Sequence, residues 1–114
     1  MKVFISYAHK DREVSDRLQR ILDLKERATL WRDDQILPGA DWDNTIRTEL
    51  LAADIILLLF SRSFIESSYI LSNELGPALV RHESAEARVI PILLTPCDWL
   101  LTPVAKLQAL PAGA

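Results

Sequence analysis

Cysteine is almost absent from this 114-residue chain. Cys97 stands alone, which excludes an internal disulfide framework and a cysteine-rich zinc centre. Histidine is nearly as scarce: His9 and His82 are the only two and lie far apart in sequence, so no metal site is expected. Only three glycines occur, and they form neither G-x-G-x-x-G nor a Walker glycine loop, which removes the usual nucleotide cradles. The longest apolar run, Ile55 to Phe60, falls far short of the ~20 residues that span a bilayer, so no membrane partner is expected. A net charge of −3 gives no electrostatic footprint for direct nucleic-acid binding. No secretory leader is recognisable at Met1, and the expected location is the cytoplasm. What the chain does have is apolar residues, 49% of the total, too many for disorder. Its length is that of one domain able to bury roughly two-thirds of its unfolded surface.

Hydrophobic periodicity gives the elements. Lys2 to Tyr7 is a short β-rich run and is predicted to be a buried strand. Asp11 opens a charged segment in which Val14, Leu18, Ile21 and Leu22 recur at helical spacing, predicting a helix from about Asp11 to Lys25. Thr29 to Arg32 is a second short strand, and Asp33 to Trp42 a loop punctuated by Pro38 and Gly39. A helix follows from Asp43 to Ala53, with Ile46, Leu50 and Leu51 on one face. The run Asp54 to Phe60 suits a strand covered on both faces, as in a parallel sheet. Ser63 to about Glu83 is mostly helical, with a kink or break expected at Gly76-Pro77. Arg88 to Leu94 is a last strand whose Pro91 argues for a sheet edge or a bulge. Strand and helix alternate throughout, which specifies a parallel sheet with helices on both faces. A fifth strand and closing helix after Leu94 are weak or missing. The expectation is one domain over 1–114, forming the N-terminal part of a longer protein.

Five segments in this order resemble the Toll/interleukin-1 receptor (TIR) domain family in its bacterial style. Val3-Phe-Ile-Ser-Tyr-Ala-His-Lys-Asp11 looks like the family's first box. Trp31-Arg-Asp-Asp-Gln-Ile-Leu-Pro-Gly39 looks like its second box and BB loop. Ala53 to Ser61 is similar to the third strand, Ser67-Ser-Tyr-Ile-Leu-Ser-Asn-Glu-Leu75 to the helix carrying the catalytic glutamate, and Ile90 to Trp99 to the fourth strand and its exit. The resemblance implies a flavodoxin-like three-layer α/β fold with strand order 2-1-3-4 and, where present, a fifth strand. One departure is local: many catalytic members place a Trp four residues before the glutamate, whereas here Ile70 stands there and Tyr69 one residue earlier.

Glu74 is the residue to which the resemblance assigns chemistry. Helical spacing puts it beside the stripe Leu71, Leu75, Leu79, on the border of core and surface. From the residues alone it is either a solvated helix carboxylate or a functional one. The implied reaction is cleavage of the nicotinamide–ribose bond of NAD+. Nicotinamide leaves a pyridinium as a neutral molecule and needs no general acid. One carboxylate can stabilise the oxocarbenium-like ribose, by analogy with glycoside hydrolysis. No cofactor is then required; NAD+ is the substrate, and the product is ADP-ribose or its cyclic form. Ser6, Tyr7, Asp33, Ile36, Leu37, Ser61 and Tyr69 are the candidate substrate-binding residues, although Ser6 and Ser61 suit turn or cap roles as well. Trp31 is read as core.

The loop Ile36, Leu37, Pro38, Gly39 is the candidate assembly surface, because large apolar residues in an exposed loop mark a partner site. Trp42 is read either as part of this exposed apolar cluster or as turned inward to staple the next helix, with Asp41 or Asp43 as the cap. Two function classes follow. One is an NAD+ nucleosidase, activated by assembly with other TIR domains into a homo-oligomer or filament. It would work under a C-terminal or separate sensor domain in bacterial anti-phage immunity. The other is a non-catalytic TIR–TIR scaffold. A nucleotide-binding sensor of flavodoxin type is a weaker third.

Overall fold

The computed structural model describes residues 1–23, 29–32, 39, 41–67, 70–95, 97, 101–102, 105–107 and 109–110, the side chains of 22, 23 and 71–73 excepted. The elements are β1 (Lys2–Ser6), a 3₁₀ turn (His9–Asp11), α1 (Arg12–Asp23), β2 (Thr29–Trp31), α2 (Trp42–Ala52), β3 (Ile55–Phe60), α3 (Arg62–Glu66), a π-helical turn (Ile70–Leu75), α4 (Gly76–Glu83) and β4 (Arg88–Leu93). The four strands form one parallel sheet in the order β2-β1-β3-β4. With helices on both faces, this is the flavodoxin-like arrangement. Among the described residues, one parallel bridge, Leu110 to Ile92, stands on the outer edge of β4.

Register explains how β4 accommodates a proline. Pro91 pairs with Leu58 of β3, but its carbonyl faces outward and accepts from the Leu110 amide at 2.9 Å. In a parallel strand a residue's N–H and C=O point to the same side. The N–H that Pro91 lacks is therefore missing from the outer edge, and the ladder to β3 is intact.

Two cores flank the sheet. On one face Phe4, Leu58 and Phe60 pack with Ile46, Leu50, Phe64, Ile70, Leu75 and Ala78, residues of α2, α3, the π turn and α4. Trp31 stacks on Phe4 with ring centroids 5.3 Å apart, which bears out its reading as core. On the other face Val3, Ile5, Tyr7, Leu30, Leu57 and Leu59 are joined by Leu18 of α1. The alternation along β1 is what separates the two sets.

Four expectations need correcting. Ile21 turns outward, 57% exposed, while Ser15 is fully buried, so the covered stripe of α1 is rotated toward Ser15 and Leu18. Leu51 is exposed for the same reason: Ile46 and Leu50 alone complete the buried line of α2. Helix α2 begins one residue early, at Trp42, and of the two readings of that side chain the exposed one holds, at 53%. Asp41 is the cap, its carboxylate accepting from the Asn44 amide at 3.2 Å. Finally, Gly76-Pro77 does not break the helix. Pro77 falls in the first turn of α4, where a missing N–H costs little, and the π turn leads directly into it. The interruption lies earlier, where α3 ends at Glu66.

At the amino end of the sheet, Arg81 ties α4 to α2. Its Nη1 donates to the carbonyls of Leu50 at 2.8 Å and Ala53 at 2.7 Å, supplementing the long 3.4 Å bond that Leu50 accepts from the Ala53 amide at the end of α2. His82 Nδ1 accepts from the Val89 amide at 3.1 Å, so this histidine is structural. Lys106 Nζ donates to Glu83 Oε1 at 2.6 Å, and this bond and charge hold the Glu83 carboxyl below its ordinary range. Its small contribution is present at neutral pH and is lost as pH falls through that lowered value.

Helix α4 closes in a Schellman motif. The Glu86 amide donates to the Arg81 carbonyl at 2.9 Å and the Ala85 amide to that of His82 at 3.1 Å, leaving Ala85 left-handed at φ 58°. An alanine there costs about 1–2 kcal/mol against glycine in the folded state. The larger unfolded-state freedom of glycine offsets about 0.5–1 kcal/mol. Ala85→Gly is therefore expected to stabilise the chain by about 0.5–1 kcal/mol, read as a raised urea midpoint with unchanged slope.

Candidate active site at the carboxyl ends of the strands

Strand order reverses between β1 and β3, and in open α/β sheets ligands bind beyond the carboxyl ends of the strands at such a point. Ser6 closes β1 opposite Leu58 of β3. Alternation puts Ser6 on the Phe4 face. It is 1% exposed, and its hydroxyl has no hydrogen-bond partner among the described residues. A neighbouring serine, Ser61, leaves β3 and caps α3. Its Oγ accepts from the Phe64 amide at 3.1 Å and donates to the Asp11 carboxylate. Phe64 is thereby held with its ring 4.8 Å from that of Phe60.

Glu74 lies in the π turn that follows α3. The turn starts from Ser67, whose Oγ accepts from the Ile70 amide at 3.3 Å, and it packs against α2 and α3. Glu74 is 8% exposed, deeper than the border position that α-helical spacing implies. A π turn carries one more residue per turn than an α-helix, so it rotates the following positions, and such turns recur at functional sites. Ile70, in the place of the family's tryptophan, is buried in the same core cluster as Phe64 and Leu75.

Tyr7 sits on the other face. Its ring lies under the Arg32 guanidinium at 5.5 Å and beside His9 at 6.1 Å. Arg32 is buried and anchored by α1: Nη1 is 2.6 Å from Asp16 Oδ1 and donates to Ser15 Oγ at 2.9 Å. The sheet thus separates Tyr7 from the face that carries Ser6 and the Glu74 turn. The Arg32–Asp16 pair was not foreseen. Its sequence signal is an arginine ending an apolar strand, with an acid and a serine one helix earlier. Arg32→Ala is expected to cost about 2–3 kcal/mol, because it strips stem packing and the hydrogen-bonded partner of Ser15. Asp16, 39% exposed in its side chain, can rehydrate, which keeps the loss below that of a fully buried pair. Thermal unfolding by circular dichroism measures it.

Asp33, Ile36, Leu37, Pro38 and Tyr69 lie outside the described residues. Gly39 is an exposed turn residue with φ +86°, a conformation that favours glycine. Among the described residues, no group of three or more His, Cys, Asp or Glu could hold a metal ion, and no helix is long and apolar enough to cross a membrane. A cavity of about 250 Å³ is lined by residues of β1, β2 and α2, Lys2, Phe4, Trp31 and Glu49 among them.

A sequence model described as TIR domain matches residues 3–112. The uncharacterized protein y4lF of Sinorhizobium fredii is 42% identical over 112 residues, covering 96% of this chain and 35% of that protein. The chain therefore spans about a third of the length of that curated relative. A family match over nearly every residue, on a parallel sheet of order 2-1-3-4, places the chain in the TIR domain family.

Proposed function

We propose that this TIR domain cleaves the nicotinamide–ribose bond of NAD+, with Glu74 as the catalytic carboxylate. The observation that carries the reading is the burial of Glu74, 8% exposed, in a π turn that follows the exit of β3. A carboxylate in such a place is desolvated and therefore electrostatically strong toward a developing cation. The C1′–N bond breaks with its electron pair going to nicotinamide. The ribose carbon then bonds the oxygen of water, or the adenine ring nitrogen in a cyclisation, and in either case one proton is released to solvent. Ser6, Asp33, Ile36, Leu37, Ser61 and Tyr69 are proposed around the substrate; Tyr7, on the opposite face of the sheet and packed under Arg32, is left out of that set. The proposal includes activation by assembly with other TIR domains, a sensor domain in the same or a bound chain, and a cytoplasmic anti-phage role.

Ile70 favours the alternative of a non-catalytic TIR–TIR scaffold, since it is committed to the core where many catalytic relatives carry an aromatic. Incubation of the protein with NAD+, with chromatographic detection of nicotinamide, separates the two. Release in step with ADP-ribose or its cyclic form is expected. Intact NAD+ over assembled, folded protein would favour the scaffold.

A further inference from the structure

The segments leaving β1 and β3 flank the switch point, where open α/β sheets place their ligand crevice. One described side-chain bond spans it, from the Ser61 hydroxyl to the Asp11 carboxylate, across 50 residues of sequence. Asp11 ends the 3₁₀ turn that leads into α1, and its own amide donates to the Ala8 carbonyl at 2.8 Å, so it moves with the β1 wall. Ser61 caps α3 through the Phe64 amide, so it moves with the β3 wall. Ser6, ending β1 between these walls, is fully buried with a hydroxyl that has no partner among the described residues. A serine has one proton to donate, and that of Ser61 is used on Asp11. Ser61 cannot also donate to a ligand while the bond holds.

The geometry points to Asp11 as a positioning residue that acts through Ser61: the pair clasps the β1 and β3 exits together and sets the width of the crevice. The effect on turnover rests on the NAD+ reading above; the clasp itself does not. Displacing the walls of a reacting site by about 1 Å can cost up to ~10²-fold in rate. Asp11 therefore carries catalytic weight through Ser61 without itself touching substrate.

Ser61→Asp tests this without removing the cap. Aspartate is a good N-cap residue, so α3 keeps its Phe64 bond, while two carboxylates now face each other across the crevice. Adding Asp11→Asn restores a donor, with the amide of position 11 giving its proton to the new carboxylate. Hydrogen exchange of residues 7–11 and 61–66 is the readout that needs no activity. Ser61→Asp is expected to speed exchange in both segments by about tenfold or more, and the double variant to return it to within about threefold of the parent. With NAD+, kcat/KM is expected to fall by about 10- to 100-fold in Ser61→Asp and to recover in the double variant. Unchanged exchange in Ser61→Asp overturns the clasp, as does loosening that Asp11→Asn fails to reverse, since a simple cap or fold role predicts no rescue. Exchange that responds while turnover stays at the parent level overturns the positioning role. If the parent releases no nicotinamide, the NAD+ reading fails alone, and exchange still decides the clasp.

Discussion

Glu74→Gln is expected to lower nicotinamide release by a hundredfold or more while the fold stays intact. The substitution keeps side-chain shape and removes only the charge. Losing one preorganised electrostatic stabiliser typically costs ~10²–10³ in rate, about 2.7–4 kcal/mol of barrier. The side chain is buried among the elements that carry Ile70, Leu75 and Ala78, so little water can replace the lost charge. Glu83→Gln is the control: this glutamate is exposed on α4, and its loss leaves turnover at the parent level. Parent-level turnover in folded Glu74→Gln would remove Glu74 from the chemistry.

The second large effect is expected in the loop. Ile36→Asp or Leu37→Asp abolishes both assembly and turnover and leaves the monomer folded. The argument comes from sequence: an enzyme that destroyed NAD+ continuously would harm its host, so activity needs a gate. Among the described residues there is no metal cluster, and the single cysteine offers no internal redox pair. An apolar loop meeting a neighbouring domain would supply the gate. Such a contact is heterologous, so it builds open rows unless rotation closes it. Each buried apolar side chain contributes about 1.5–3 kcal/mol, and a few of them give weak association that raised local concentration strengthens. A charge placed in that contact reverses its sign. Sedimentation of the variants beside the parent, with activity on the same samples, checks this. Fully active monomeric loop variants would exclude it.

Much of the architecture was legible because the parallel sheet writes itself as apolar runs. Val3 to Ile5 and Ile55 to Phe60 need no period to be read as strands covered on both faces. The helices were legible in place but not in rotation. Ile21 and Leu51 fit an apolar stripe by spacing, yet each helix buries only as much surface as its neighbours offer. On α1 the Arg32 guanidinium claims Ser15 for the covered side. The π turn was illegible because nothing in Ile70 to Leu75 distinguishes one extra residue per turn. Gly76-Pro77 pointed to a break, whereas Pro77 falls in the first turn of α4. Of the site, Glu74 was found through a resemblance, and its depth came only from the fold. The Asp11–Ser61 clasp joins residues whose types fit ordinary caps, and long-range pairing of that kind has no local signature.

The most direct test is nicotinamide release per mole of protein, followed across a dilution series for the parent and for Glu74→Gln. A specific activity that climbs with concentration in the parent and is at least about a hundredfold lower in Glu74→Gln at every concentration is the predicted result. Equal release from both proteins, or none from a parent shown to be folded and assembled, would contradict it.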